Sequence, residues 1–419
     1  MFTEFLYPAA TAGTRDQKPV NRRKDHKVPS TSFSMKKDEI ATSVRIEIEE
    51  VERPTVQARQ AIGVFDSGSG GMVAAAHLSR ILGDAKENLS VIFFGDTANL
   101  PYGKKTQEQV AALSDAIISR LAPSCPVIGI ACNTASASWA RFGKVGKGQG
   151  WPHVFSVVQI AAELAYERAR TLLEPKSKRR RKTIGVLGTE LTAEIQSHAE
   201  KIVECHRATL SRAIGHELPL VPYAFAEGGI APQLAAGVID YERTPHVAVL
   251  REDEPGPGGT TRAGIRHWEP PQDLPHGVEI VARDAQLLVA AVDVTHILDS
   301  EGNVKPQWRQ RLEEYLTQVS DEMVRRKATA LILGCTHFEY FERDFAKLLP
   351  TLAARNGIIS PSGALACRLL DAFDEYLDEY PVRPITGENR SYFAFSGERP
   401  PEETFKSLRL EQIVLAEHL

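Results

Sequence analysis

The sequence predicts an α/β protein of two similar, pseudo-duplicated parallel-sheet lobes, with the active site in the cleft between them. Three observations point there. From residue 61, short apolar runs alternate with amphipathic stretches of helical period, the pattern of parallel strands covered by helices on both faces. IGVFDSG (62–68) has an echo in IGVLGTE (184–190), and VIGIACNTA (127–135) has one in ALILGCTHF (330–338), in the same order. The second pair delivers a cysteine, Cys132 or Cys335, to the end of an apolar run in each half. This spacing is too long for a solenoid unit and reads as a duplicated lobe.

The elements follow in order. AIGVFDSGSGG (61–71) is a buried strand breaking into a glycine-rich turn, and MVAAAHLSRIL (72–82) has helical spacing. SVIFFGD (90–96) is a second strand, TQEQVAALSDAIISRLA (106–122) a helix, and CPVIGIACNT (125–134) a third strand. The basic run KSKRRRK (176–182) is short and isolated, so it reads as a solvated connection between lobes rather than an anion-binding patch. TIGVLGTELT (183–192) then opens the second half. Residues 246–277 are rich in Pro, Gly and charge and read as an irregular excursion. VEIVA (278–282) and LLVAAVDVTHIL (287–298) beyond it are expected to form a β-pair, with the whole insertion spanning about 246–300. PQWRQRLEEYLTQVSDEMVRRK (306–327) is a helix, with Pro at its start and basic residues in its last turn. GALACRLLDAFDEYL (363–377) is another. The expected partition is an N-terminal extension over 1–60, a first lobe of 61–160 with 340–419, and a second lobe of 161–339.

Composition narrows the function classes. The chain has 419 residues, 42% hydrophobic and 25% charged, ordinary for a globular protein. A net charge of -4 argues against a surface that coats nucleic acid, so no nucleic-acid partner is expected. No apolar run is long enough to span a bilayer, so no membrane partner is expected either. Five scattered cysteines do not read as a disulfide framework, which makes a reducing, cytoplasmic setting the expectation. The first 60 residues hold no lasting apolar period. NRRKDHKVPSTSFSMKKDE (21–39) reads as a disordered tail or a misassigned start, with Met35 as a candidate initiator, and it lacks the apolar region of a secretory signal.

In an open α/β sheet, ligands sit outside the carboxyl ends of the strands. Cys132 and Cys335 both fall at such ends, one in each half. Facing lobes would bring the thiols to one cleft from opposite sides, and two weak acid/base groups flanking one carbon are what inversion of configuration needs. A thiol of pKa about 8.5 is mostly protonated at neutral pH, so a thiolate has to be stabilised. The hydroxyls of Thr134 and Thr336 stand beside the cysteines in sequence for that task. Ser67 with the turn Gly68–Gly71, Asn133 and Thr134 supply donors for charge developing on a carboxylate. Asp66 and His337 are placed to tune or relay a proton for one thiol each. A single strand-end cysteine is ordinarily a packing thiol, Asp66 could cap the next helix, and His337 could be a core histidine. Those readings leave unexplained why both halves carry the constellation. Cys125, Cys205 and Cys367 lack such surroundings and read as packing residues. DSGSGGMV lacks the last glycine of a dinucleotide fingerprint. There is no phosphate loop, no HExxH and no Cys or His pair at metal spacing, so no metal is expected. A Cys–His hydrolase using Cys335 and His337 is the rival. Those two residues straddle a turn, however, and the rival leaves Cys132 idle.

The motifs DSGSGG (66–71), GDTANLPYG (95–103), ACNTAS (131–136), GTELT (188–192), VPYAFAEGG (221–229) and LGCTH (333–337) resemble those of the cofactor-independent glutamate racemases, within the aspartate/glutamate racemase superfamily. They occur in the family's order over most of residues 61–340. The resemblance implies two-thiol racemisation of a small amino-acid substrate without pyridoxal phosphate or any other cofactor. Matched position by position, it implies Cys132 and Cys335 as the acid/base pair, assisted by Asp66 and His337, with Glu227 a further acidic residue near the site. It also implies Ser67, Pro101, Tyr102, Gly103, Asn133, Thr134, Thr189, Thr192 and Thr336 as lining of the substrate pocket. The family supplies D-glutamate for bacterial peptidoglycan and many members are dimers, which makes a homodimer an expectation. The chain departs from the family at Ser69, where an apolar residue is usual. It departs again at FSVVQIAAELA (155–165), which lacks the usual proline and glycine, and at CTHFEYF (335–341), where proline commonly follows the aromatic residue. An aspartate or other amino-acid racemase, a Cys-dependent hydrolase or lyase of the superfamily, and a catalytically silent ligand-binding or regulatory protein stay open as alternatives.

Overall fold

The computed structural model describes residues 47–51, 60–85, 89–148, 150, 152–171, 181–189, 192, 197–214, 246–250, 277–285, 287–293, 297–380, 390–408 and 412–417. The strands are β1 (Glu47–Val51), β2 (Ala61–Asp66), β3 (Ser90–Gly95), β4 (Val127–Ile130), β5 (His153–Ser156), β6 (Arg181–Gly188), β7 (His246–Leu250), β8 (Gly277–Asp284), β9 (Ala330–Gly334), β10 (Ile358–Ile359), β11 (Ser391–Phe395) and β12 (Gln412–Ala416). Two sheets result, a 7-stranded one in the order β1-β12-β11-β3-β2-β4-β5 and a 5-stranded one in the order β10-β9-β6-β8-β7. Every strand pair in both is parallel.

The buried alternation explains the layering. In β2 and β3, Ile62, Val64, Val91 and Phe93 face one apolar cluster, while Ala61, Phe65, Ile92 and Phe94 face another. That is the two-residue period of a strand covered on both sides. One side is closed by helices α1 (Met72–Ala85) and α8 (Pro361–Glu379), the other by α2 (Gln107–Leu121) and α3 (Asn133–Phe142). Each fully buried side chain of the size of Ile62 or Phe65 contributes about 1.5–3 kcal/mol. Helix α2 starts where Thr106 and Gln109 cap each other's backbone N–H groups at 3.3 and 3.0 Å, a capping box. The smaller sheet repeats the arrangement. Leu187, Val281, Leu331 and Leu333 face α6 (Leu287–Asp293) and α7 (Pro306–Arg325). Ile184, Val186, Ile280 and Ile332 face α4 (Val157–Thr171) and α5 (Ser197–Ile214).

Several sequence expectations shift. LLVAAVD is the helix α6 rather than a strand partner of β8, because Leu288 and Val292, four residues apart, share one buried face. HVAVL, inside the expected irregular excursion, is a strand that pairs parallel with β8. The lobe boundaries also move. Helix α4 has Val157 and Val158 in the larger sheet's core and Ala161, Ala162 and Ala165 in the smaller sheet's, so residue 160 falls inside a bridging helix. Beyond residue 340, β10 still pairs with β9 in the smaller sheet. Within the expected 1–60 extension, β1 pairs with β12. Glu227, residues 251–276 and the first part of KSKRRRK lie outside the described residues. No described helix is long and apolar enough to cross a membrane.

Candidate active site

Register brings the site together. Asp66 is level with Gly95 and Phe65 with Ile130, so the residues that follow β2, β3 and β4 lie along one carboxyl edge, the usual ligand edge of such a sheet. In the smaller sheet Gly188 is level with Gly334, which sets Thr189 and Cys335 at the ends of neighbouring strands.

Cys132 is the N-cap of α3. Its sulfur accepts the Ala135 N–H at 3.4 Å, and its S–H donates to Ser67 Oγ at 3.4 Å. Burial pushes the thiol up to about 12 and the Asp66 carboxylate pushes the same way, while the hydrogen bonds that Ser67 and the Ala135 N–H can give a thiolate oppose both. Desolvation wins over the helix terminus, so the resting group is a protonated thiol. Cys335 follows β9 and opens a 3-10 turn, Thr336–Phe341. The turn folds His337 back so that its Nδ1 lies 3.5 Å from the Cys335 sulfur. The two residues expected to straddle a turn are therefore in contact.

Asp66 and Ser67 stand between the cysteines. Asp66 is 1% exposed; its Oδ1 accepts the Gly68 N–H at 2.9 Å and its Oδ2 accepts the Thr336 hydroxyl at 3.1 Å. This last bond joins the lobes one residue from Cys335. Gly70 makes the approach possible, because a Cβ there would meet the Thr336 hydroxyl and stand 2.7 Å from His337 Nδ1. A second junction joins Thr134 to Thr192 and Thr189 at 3.2 and 3.4 Å, with 2.8 Å between the last two hydroxyls. The hydroxyls of Thr134 and Thr336, expected beside the thiols, are thus directed to Thr189, Thr192 and Asp66. Ser67, Ala135 and His337 contact the sulfurs instead.

Tyr102 shares the apolar cluster of Cys132, but its hydroxyl donates to Asp96 Oδ2 at 2.6 Å. Burial and then that carboxylate raise its pKa. Pro101 and Gly103 flank it on the exposed surface. Asp96, which also accepts Ser396 Oγ at 2.7 Å, lies inside GDTANLPYG, and its pairing with a tyrosine six residues on could have been sought there. Asn133 Oδ1 lies 3.0 Å from Nε2 of His198, at the start of α5. Nothing in the local sequence marks His198, since a lone histidine on an amphipathic helix reads as packing. Among the described residues, no group of three or more His, Cys, Asp or Glu could hold a metal ion.

No family model matches the chain. Over 148 residues it is 34% identical to glutamate racemase 3 of Caldanaerobacter subterraneus subsp. tengcongensis, covering 35% of this chain and 47% of that one. Over 190 residues it is 34% identical to the glutamate racemase of Corynebacterium diphtheriae, covering 42% and 64%. The chain thus spans between 47% and 64% of the length of these two curated relatives. The RacE1 isoform of glutamate racemase from Bacillus anthracis superposes with a TM-score of 0.53 at 18% identity, over 87% of this chain and 99% of that one. The Francisella tularensis glutamate racemase, solved with D-glutamate, gives 0.53 at 19% identity over 86% and 98%. The fold is that of the glutamate racemases. Its two-sheet architecture accounts for the strand-end position of both cysteines.

Proposed function

We propose that the chain is a cofactor-independent glutamate racemase that inverts Cα with Cys132 and Cys335 as opposed acid and base. The observation that carries this reading is the pair of strand-end cysteines in corresponding places of the two sheets, tied to each other through Ser67, Asp66 and Thr336. Sequence similarity to curated glutamate racemases and the shared fold support it.

In the forward direction one thiolate removes the Cα proton, and the electron pair passes to the α-carboxylate as an enolate-like carbanion. The opposite thiol delivers its proton to the other face. Enantiomer forms, the first sulfur becomes a thiol and the second a thiolate, and the reverse turnover or exchange with solvent restores the start. Cys132, held as a thiol by burial, is the proton donor of the resting form. Cys335, with Nδ1 of His337 3.5 Å from its sulfur, is the opposed group of the pair. Asn133 and the hydroxyls of Thr134, Thr189 and Thr192 offer donors that bind the substrate carboxylates. Glu227, Pro101, Tyr102 and Gly103 complete the pocket by resemblance. The reading places D-glutamate supply for peptidoglycan in the cytoplasm, by an enzyme that works as a homodimer.

The Cys335–His337 contact also fits a nucleophilic hydrolase, but that chemistry leaves Cys132 and its contacts without a task. Incubation with L-glutamate and no added cofactor tests the proposal. D-glutamate should accumulate until the enantiomers are equal; absence of racemisation with either enantiomer of glutamate or aspartate contradicts it.

A further inference from the structure

A buried histidine adjoins the site without belonging to any of its motifs. His198, in the first turn of α5, is 1% exposed, and its Nε2 lies 3.0 Å from Oδ1 of Asn133 on the other lobe. A Cβ on Gly334 would stand 3.1 Å from its Cε1, so the ring lies against the strand that ends at Cys335. Among the described residues, His198 Nδ1 and Asn133 Nδ2 are both buried without a hydrogen-bond partner. Asn133, 3% exposed, is the residue after Cys132.

We propose that His198 is a positioning residue that holds the Asn133 amide with its N–H₂ group free to donate to a substrate carboxylate. The inference rests on the racemase reading. The two ends of an asparagine amide are nearly the same shape, one an acceptor and the other a donor, so a neighbour's protonation decides which end faces where. A neutral imidazole that carries its proton on Nε2 donates to Oδ1 and leaves Nδ2 as the open group. The other tautomer would accept from Nδ2 and leave Oδ1 open, an acceptor set against an anion. Only the first arrangement favours a dicarboxylate, and it explains why the orphaned atom on Asn133 is a donor. Burial keeps the ring neutral by lowering its pKa to about 4. The orphaned donor gains its acceptor when substrate binds, so the effect belongs to ground-state affinity and moves KM more than kcat.

Two measurements on the full chain test this. Nitrogen-15 NMR of the histidines, with the His198 signals identified by their loss in His198→Gln, should show the Nε2–H tautomer in the free protein. Kinetics with L-glutamate should show KM for His198→Ala raised about tenfold with kcat within about twofold. His198→Gln, whose amide can still donate to Oδ1, should recover most of the affinity. An Nδ1–H tautomer overturns the proposal, as does a folded His198→Ala with KM unchanged. If His198→Ala does not fold, the tautomer and the KM of His198→Gln decide it. A wild type that racemises neither glutamate nor aspartate contradicts the racemase reading instead, and the tautomer then still decides how the Asn133 amide is held.

Discussion

Cys132 and Cys335 occupy corresponding places in the two sheets but differ in their surroundings. Cys132 meets a serine hydroxyl and a helix N–H, whereas Cys335 meets an imidazole. Replacing either with Ser should lower racemisation by about 10²–10⁴-fold, the range for loss of a positioned acid or base, measured as initial rate from each enantiomer. Full activity in either variant contradicts the assignment. His198 makes a separate prediction about stability. Its pKa in the folded chain is lowered to about 4 from an ordinary 6.5 by burial, so between those values the unfolded chain binds a proton that the folded chain does not. Stability therefore falls as pH drops from 6.5 towards 4, by on the order of 2–3 kcal/mol from this group. His77, lowered to about 4 by burial and then by Arg80, adds to the same slope. Urea unfolding of His198→Gln across that window should show a flatter loss than the wild type; parallel curves would rule out the buried, neutral imidazole.

At the scale of elements, the glycine turn after β2 and the 3-10 turn after β9 work as a matched pair. Gly70→Ala should press a methyl into Thr336 and His337, cost about 1–3 kcal/mol as overpacking does, and reduce racemisation at least about tenfold by separating Asp66 from Thr336. Thr106→Ala is the counterpart without catalytic consequence. Loss of the capping box at α2 should cost about 1 kcal/mol in thermal stability while kcat/KM stays unchanged. Both follow from parallel measurement of unfolding and rate. Strands β2, β3, β4, β6, β8 and β9 and the helices over 72–85, 107–121, 306–325 and 361–379 were legible from their apolar periods. Strand β1 was not, because it lies in the polar stretch expected as an extension, and β5, β11 and β12 were not singled out. LLVAAVD (287–293) and HVAVL (246–250) were misread, runs too short for periodicity to separate helix from strand. The first is an α-helix because its leucine and valine share a buried face, and the second joins an edge of the smaller sheet inside a segment whose prolines and glycines read as loop.

For the whole molecule, function depends on how the lobes meet. Asp66 to Thr336, Thr134 to Thr189 and Thr192, Asn133 to His198, and Arg141 to Glu200 all join one lobe to the other. The strand-end cysteines were readable from sequence because a break in an apolar run marks them in both halves. The partners of their neighbouring threonines were not, since hydroxyls choose partners across an interface that no local pattern encodes. His198 was hidden for the same reason. The Arg141–Glu200 pair is partly exposed and is worth at most about 1 kcal/mol, so the buried contacts hold the lobes together. The central claim is that two groups, not one, handle the Cα proton. The most direct test follows L-glutamate in deuterated water at the first few per cent of conversion, by mass spectrometry of each enantiomer. Two opposed thiols predict D-glutamate that carries deuterium at Cα while the remaining L-glutamate keeps its proton; D-glutamate that retains the original proton would show a single base and contradict the account.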